Sequence, residues 1–188
     1  MVSGVTYTRW GRTSCPSDTE AQLVYSGRAG GTHYLAQGGS AEKICLPDDP
    51  DYTAGSVNIS SQTHRSVIHG VEYEFPYGGL SHPLQDVHNQ NVPCAICDVP
   101  TRARVIMVPA KTVCPPSWTR EYYGYLLTEF DGHYRSTYTC IDSDPEVVPG
   151  ESSDANPSLF YYSMTDCNGL LCPPYENGRI LSCVVCTK

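Results

Sequence analysis

Ten cysteines in a chain of 188 residues recur in a fixed order, and this recurrence limits the fold more than any other feature. Cys15-Pro16 returns as Cys114-Pro115, Tyr25-Ser26-Gly27 has a counterpart in Tyr123-Gly124, and His33-Tyr34 in His133-Tyr134. Cys45-Leu46-Pro47-Asp48-Asp49-Pro50 aligns without a gap on Cys140-Ile141-Asp142-Ser143-Asp144-Pro145. Each set closes on a Cys-x-x-Cys in an apolar frame, Cys94 and Cys97 in the first, Cys183 and Cys186 in the second. The spacings are 30, 49 and 3 residues, then 26, 43 and 3. So many matches in one order read as a duplication, with repeat halves at about 14–98 and 113–187 packed about a pseudo-two-fold axis. A solenoid is excluded, because its repeats run only about 20–50 residues. Cys167 and Cys172 have no counterparts and are spaced to close a short loop on each other.

Composition narrows the class. Glycine (16) and proline (15) are frequent, tyrosine supplies 14 of the aromatic residues, and the net charge is −8. That charge argues against nucleic acid as a partner, since phosphate contacts need a basic face. Charged residues make up 17% of the chain and hydrophobic ones 40%, which is not the balance of a disordered chain. Apolar runs are short, as at Val105-Ile106-Met107-Val108, and none reaches the length of a membrane span. Residues 1–6 carry no secretion signal and read as a linker ahead of one domain, 7–188. Thiols at this density outside a metal site indicate an oxidising compartment, hence a secreted protein.

Apolar–polar alternation predicts strands at Glu20–Tyr25, Val71–Phe75, Arg102–Val108, Glu121–Thr128 and Ile180–Val185. No window carries a capped helical stripe, so the fold class is all-β and disulfide-rich, two pseudo-symmetric β half-domains with little helix. Asn177-Gly178 suits a type I′ hairpin turn, whose central residues both need positive φ. Residues three apart on a strand face opposite ways, so Cys94 and Cys97 should not bond each other. The symmetric expectation gives the first Cys-x-x-Cys to Cys15 and Cys45, and the second to Cys114 and Cys140; pairings across the halves stay open.

The matching residues resemble a known family, the C-terminal noncollagenous domain of invertebrate short-chain (spongin-like) collagens. The resemblance rests on Tyr7-Thr8-Arg9-Trp10-Gly11-Arg12 before Cys15-Pro16, then Tyr25-Ser26-Gly27, His33-Tyr34 and Cys45-Leu46-Pro47-Asp48-Asp49-Pro50. Val92-Pro93-Cys94-Ala95-Ile96-Cys97, Pro109-Ala110-Lys111-Thr112 with Cys114-Pro115, and Cys183-Val184-Val185-Cys186 extend it over residues 4–188. The duplicated frame is also distantly similar to the tandem noncollagenous domain of type IV collagen. The resemblance implies an extracellular assembly module that self-associates, as a homotrimer, and contacts other matrix proteins. The chain departs from the family's Gly-X-Y lead-in, because residues 1–6 contain no such triplets. The alternative is a secreted lectin-like protein that recognises carbohydrate or microbial surfaces through exposed tyrosines.

Other candidate sites are weaker. The Cys-x-x-Cys pairs lack the flanking helix of a redox motif and lie too far apart for a compact zinc ribbon. The histidines at 33, 64, 69, 82, 88 and 133 form no ligand motif, and His33 and His133 read as sharing a packing role. Two acidic turns, with Asp48, Asp49 and Asp51 in one and Asp142, Asp144 and Glu146 in the other, offer a candidate calcium site. Calcium is the one cofactor the sequence raises. Asn58-Ile59-Ser60 is a glycosylation sequon. No nucleophile elbow or catalytic-cysteine signature is present, so no catalytic residue is assigned and the chain does not read as an enzyme.

Overall fold

The structure is a computed structural model that describes residues 4–53, 59, 65–75, 82–151 and 154–188. Among these residues are ten strands and one 3₁₀ turn, with no α-helix. The strands are β1 (Val5–Trp10), β2 (Gln22–Gly31), β3 (Ile44–Pro47), β4 (His69–Tyr73) and β5 (Pro93–Val99). They continue as β6 (Val105–Pro109), β7 (Thr119–Thr128), β8 (Thr139–Asp142), β9 (Ser158–Tyr162) and β10 (Ser182–Thr187). They lie in the order β6-β10-β7-β8-β1-β5-β2-β4-β9, with β3 added to β2. Because β9 also pairs with β7, the seven strands from β7 to β9 form a closed circuit. One core cluster draws Ala29, Val71, Tyr73, Leu127, Ile141 and Phe160 from five of these strands. A second gathers Tyr7, Cys97, Tyr122, Cys140 and Cys183 around the strands that carry the Cys-x-x-Cys pairs.

Those two strands, β5 and β10, have matching neighbours. β5 lies between β1 and β2, and β10 between β6 and β7, all antiparallel. Trp10 and Gly27 flank Cys94, while Pro109 and Gly124 flank Cys183. A register shift follows Leu23 in β2, and another falls opposite Arg120 and Tyr122 in β7. The Tyr25 hydroxyl donates to the Cys45 carbonyl, and that of Tyr122 to the Cys140 carbonyl, both at 3.0 Å. The geometric counterpart of Tyr25 is therefore Tyr122, where the sequence alone suggested Tyr123. Each first strand is followed by a left-handed residue, Gly11 (φ 88°) and Ala110 (φ 58°). Their N–H groups donate to Pro93 and Ser182 carbonyls.

The halves meet across two parallel pairings, Trp10 of β1 with Ile141 of β8, and Val71–Tyr73 of β4 with Ser158–Phe160 of β9. Two boundaries differ from those read in the sequence. β1 starts at Val5, inside the segment taken as a linker, and β6 starts at Val105, ahead of the second half's assigned start. Both strands precede the first cysteine of their half, where no cysteine marks them.

The bridges are Cys15–Cys97, Cys45–Cys94, Cys114–Cys186, Cys140–Cys183 and Cys167–Cys172, and no cysteine is free. Each Cys-x-x-Cys thus sends one sulfur to either side of its strand. The Asn177-Gly178 turn is not type I′. Gly178 alone is left-handed (φ 73°), and its N–H donates to Thr165, closing a bridge between Met164 and Ile180 instead of a hairpin of two strands.

Gly27 and Gly124 explain why the bridges form where they do. A Cβ at either position would sit 1.8 Å from a backbone oxygen, that of Leu46 or of Ile141. Only a glycine lets β3 and β8 close onto their neighbours. Gly27→Ala or Gly124→Ala should cost about 3 kcal/mol or more, because backbone must move. Gly38→Ala, with nothing within 4 Å of the new methyl, should leave the urea midpoint unchanged. Equal midpoints for Gly27→Ala and Gly38→Ala would refute the close-approach account.

Candidate functional site at the seam between the halves

The loop after β2 and the loop after β7 carry the two His-Tyr pairs, and the fold brings them face to face. The Tyr134 N–H donates to the Tyr34 carbonyl at 3.1 Å, and Thr137 N–H to Ala41 at 3.0 Å. The Tyr34 ring lies 4.1 Å from His133 and 4.7 Å from His33, which in turn meets His69 edge-on. His33 and His133 are thus packing partners of one tyrosine.

Below these rings lies a recess of about 240 Å³, bounded by 32–43 of the first half and by Glu129, Tyr134–Ser136 and Ser158 of the second. Its distinctive feature is Lys43, whose side chain is only 3% exposed. The ammonium donates to Ser136 Oγ at 2.7 Å, sits 4.5 Å from the centre of the Phe160 ring and is 3.9 Å from Glu129 Oε2. Glu129 is also buried, and its two oxygens already accept from Leu159 N–H (3.2 Å) and lie 3.1 Å from His133 Nδ1. Burial pushes the Lys43 ammonium down to about 8, against the opposing pull of the Glu129 carboxylate. No motif announced this residue. The available signal was a lysine set directly before the apolar Ile44-Cys45 of a strand, where charge is rarely tolerated without partners. Its partners come from positions 129, 136 and 160, which sequence spacing does not connect.

No family model matches the chain.

The acidic turns do not form the oxygen cage considered for calcium. No group of three or more His, Cys, Asp or Glu side chains able to hold a metal forms among the described residues. Arginines take the carboxylates instead. Asp142 pairs with Arg9 at 2.7 Å in a buried bridge between the halves, and Asp144 pairs with Arg12 at 2.9 Å. Glu146 lies 3.2 Å from Arg12 and accepts from the Thr13 N–H and hydroxyl, contacts that hold its carboxyl below the usual range despite burial. Asp48 pairs with Arg28 at 2.9 Å, and Asp49 and Asp51 are exposed. Asn58 and His64 lie outside the described residues.

Another buried group, Tyr7, joins the halves through Glu121. The Tyr7 hydroxyl and the Thr187 hydroxyl both donate to Glu121, at 3.0 and 2.5 Å. Burial, then the Glu121 charge, raises the Tyr7 phenol far above its ordinary value. Tyr73 and Tyr122 are raised as well, chiefly by burial.

These groups set the alkaline stability profile. Between pH 8 and 10 the unfolded chain holds a proton on Lys43, ordinarily at 10.5, that the folded chain releases. Folding is then favoured as pH rises. Above about pH 10 the unfolded phenols ionise while Tyr7, Tyr73 and Tyr122 stay protonated in the fold, and stability falls. The melting temperature should climb from pH 8 to 10 and then drop. Lys43→Met should abolish the climb and keep the drop; a climb that survives the substitution would locate it elsewhere.

Proposed function

We propose that this chain is an extracellular assembly module whose copies join edge to edge, as trimers in the manner the family resemblance implies. The observation that carries the reading is β6. It pairs with β10 on one side and with no other strand among the described residues, and it carries exposed apolar side chains. Val105, Ile106 and Met107 are each about one-third exposed (37, 36 and 36%). An apolar open edge of this kind is a template for strand pairing, which monomers ordinarily blunt with charge or proline.

The matched registers supply a docking rule. Within the chain, β1 of the first half lies beside β8 of the second. The corresponding strands are β6 and β3, and neither is paired with the other: among the described residues β3 pairs with β2 alone. A second copy offering its β3 edge to β6 would repeat the internal contact between chains. Such a contact is heterologous, so it closes into a ring when the rotation permits. Ile44 of β3 is also an exposed apolar residue, 43% accessible, as this pairing requires. Five disulfides, a net charge of −8 and the lack, among the described residues, of any helix long and apolar enough to cross a membrane accord with a secreted role.

Sedimentation equilibrium of the oxidised chain tests this. The expected mass is that of a trimer, and Met107→Lys, which sets a charge on the open edge, should shift it to the monomer with the melting temperature retained. A chain that is monomeric at every concentration, or a trimer indifferent to Met107→Lys, would overturn the proposal.

A further inference from the structure

Lys43 is better supplied with burial than with partners. An ammonium has three N–H donors. One meets Ser136 Oγ, and the Phe160 ring faces the charge at 4.5 Å. Glu129 Oε2, at 3.9 Å, is beyond hydrogen-bond reach and is occupied by the Leu159 N–H. A donor of a buried cation therefore lacks an acceptor among the described residues. Leaving such a donor unmet is costly, and the recess beside it is where an acceptor can enter.

The walls say which acceptor. Hydroxyls of Ser136, Ser158 and Thr32 and the Gln37 amide line the space, with the rings of Tyr34 and Tyr134 beside them. Hydroxyls and amides both donate and accept, and aromatic faces take up the C–H side of a ring. At about 240 Å³ the recess is smaller than the roughly 300–1,000 Å³ of drug-sized sites, so it suits a single small ring. The wall's charges balance, Lys43 and Arg135 against Glu42 and Glu129, so the recess offers an acid no net attraction. A ligand carboxylate on Lys43 would also lie against Glu129, within 3.9 Å of the same ammonium. A neutral hydroxyl accepts from Lys43 without that repulsion and donates onward.

We propose that the recess at the seam binds one neutral, hydroxyl-rich pyranose unit, with Lys43 donating to a sugar hydroxyl and the exposed ring of Tyr134 against one face of the sugar. The two proposals are read by different measurements, sugar affinity here and oligomer mass there, so each can fail without the other.

Saturation-transfer NMR and calorimetry on the full oxidised chain test it. The probes are methyl glycosides of glucose, galactose, mannose and N-acetylglucosamine, with N-acetylneuraminate as the acidic arm. At least one neutral glycoside should bind with a millimolar Kd, and the acidic sugar should not. Lys43→Met should weaken that binding about tenfold or more, and Gln37→Ala, on an exposed loop that the core does not need, should weaken it measurably. Should Lys43→Met fail to fold, Gln37→Ala decides. Failure of every neutral glycoside to bind, binding of the acidic sugar alone, or affinity unchanged in the deciding variant would overturn the proposal.

Discussion

Residues three apart on an extended strand face opposite ways, and this geometry governs the molecule. Cys94 and Cys97 cannot reach each other along β5, so they reach Cys45 on one side and Cys15 on the other. Cys183 and Cys186 do the same along β10. Each central strand is thereby tied to the strand beyond one neighbour, β3 or β8, and to the loop that follows its half's first strand. The loops closed are long, 82 and 49 residues in one half and 72 and 43 in the other. Long loops gain most from closure in the chain-entropy account, about 4 kcal/mol each against about 2 for the five-residue Cys167–Cys172 link.

The same stapling demands close strand approach, and this is where Gly27 and Gly124 enter. Cys45 and Cys140 lie on short strands of four residues, too brief to hold position by hydrogen bonding alone. The adjacent glycine lets each strand come in until a tyrosine two residues earlier can bond the cysteine's carbonyl. Sulfur, glycine and tyrosine form one device, present in each half.

What the sequence disclosed follows from this. The cysteines, their Pro and Gly neighbours and the alternation in β7 are local signals, and they foretold an all-β, bridged fold. β1, β3, β8 and β9 were not read as strands. Three of them are only four or five residues long, and β9, Ser158–Tyr162, is buried at nearly every position and so shows no alternation. The acidic turns misled for a related reason. Spacing shows that carboxylates are near each other, but not that Arg9, Arg12 and Arg28 arrive from distant positions to meet them. Lys43 was illegible on the same ground, since its environment is assembled from the other half.

The seam is therefore where the two halves stop being equivalent. Lys43 lies two residues before Cys45 at the edge of β3, yet Tyr138 holds the matching place before Cys140 of β8, and no second lysine enters there. The matching registers and bridges of the two halves serve stability; the residue that breaks the pattern is free to serve something else. A buried cation with an unmet donor destabilises the fold below pH 8, and an apolar residue of similar length would not. That the charge sits beside a polar recess, at the junction of two His-Tyr loops, gives the deviation a chemical purpose that the repeated frame does not supply.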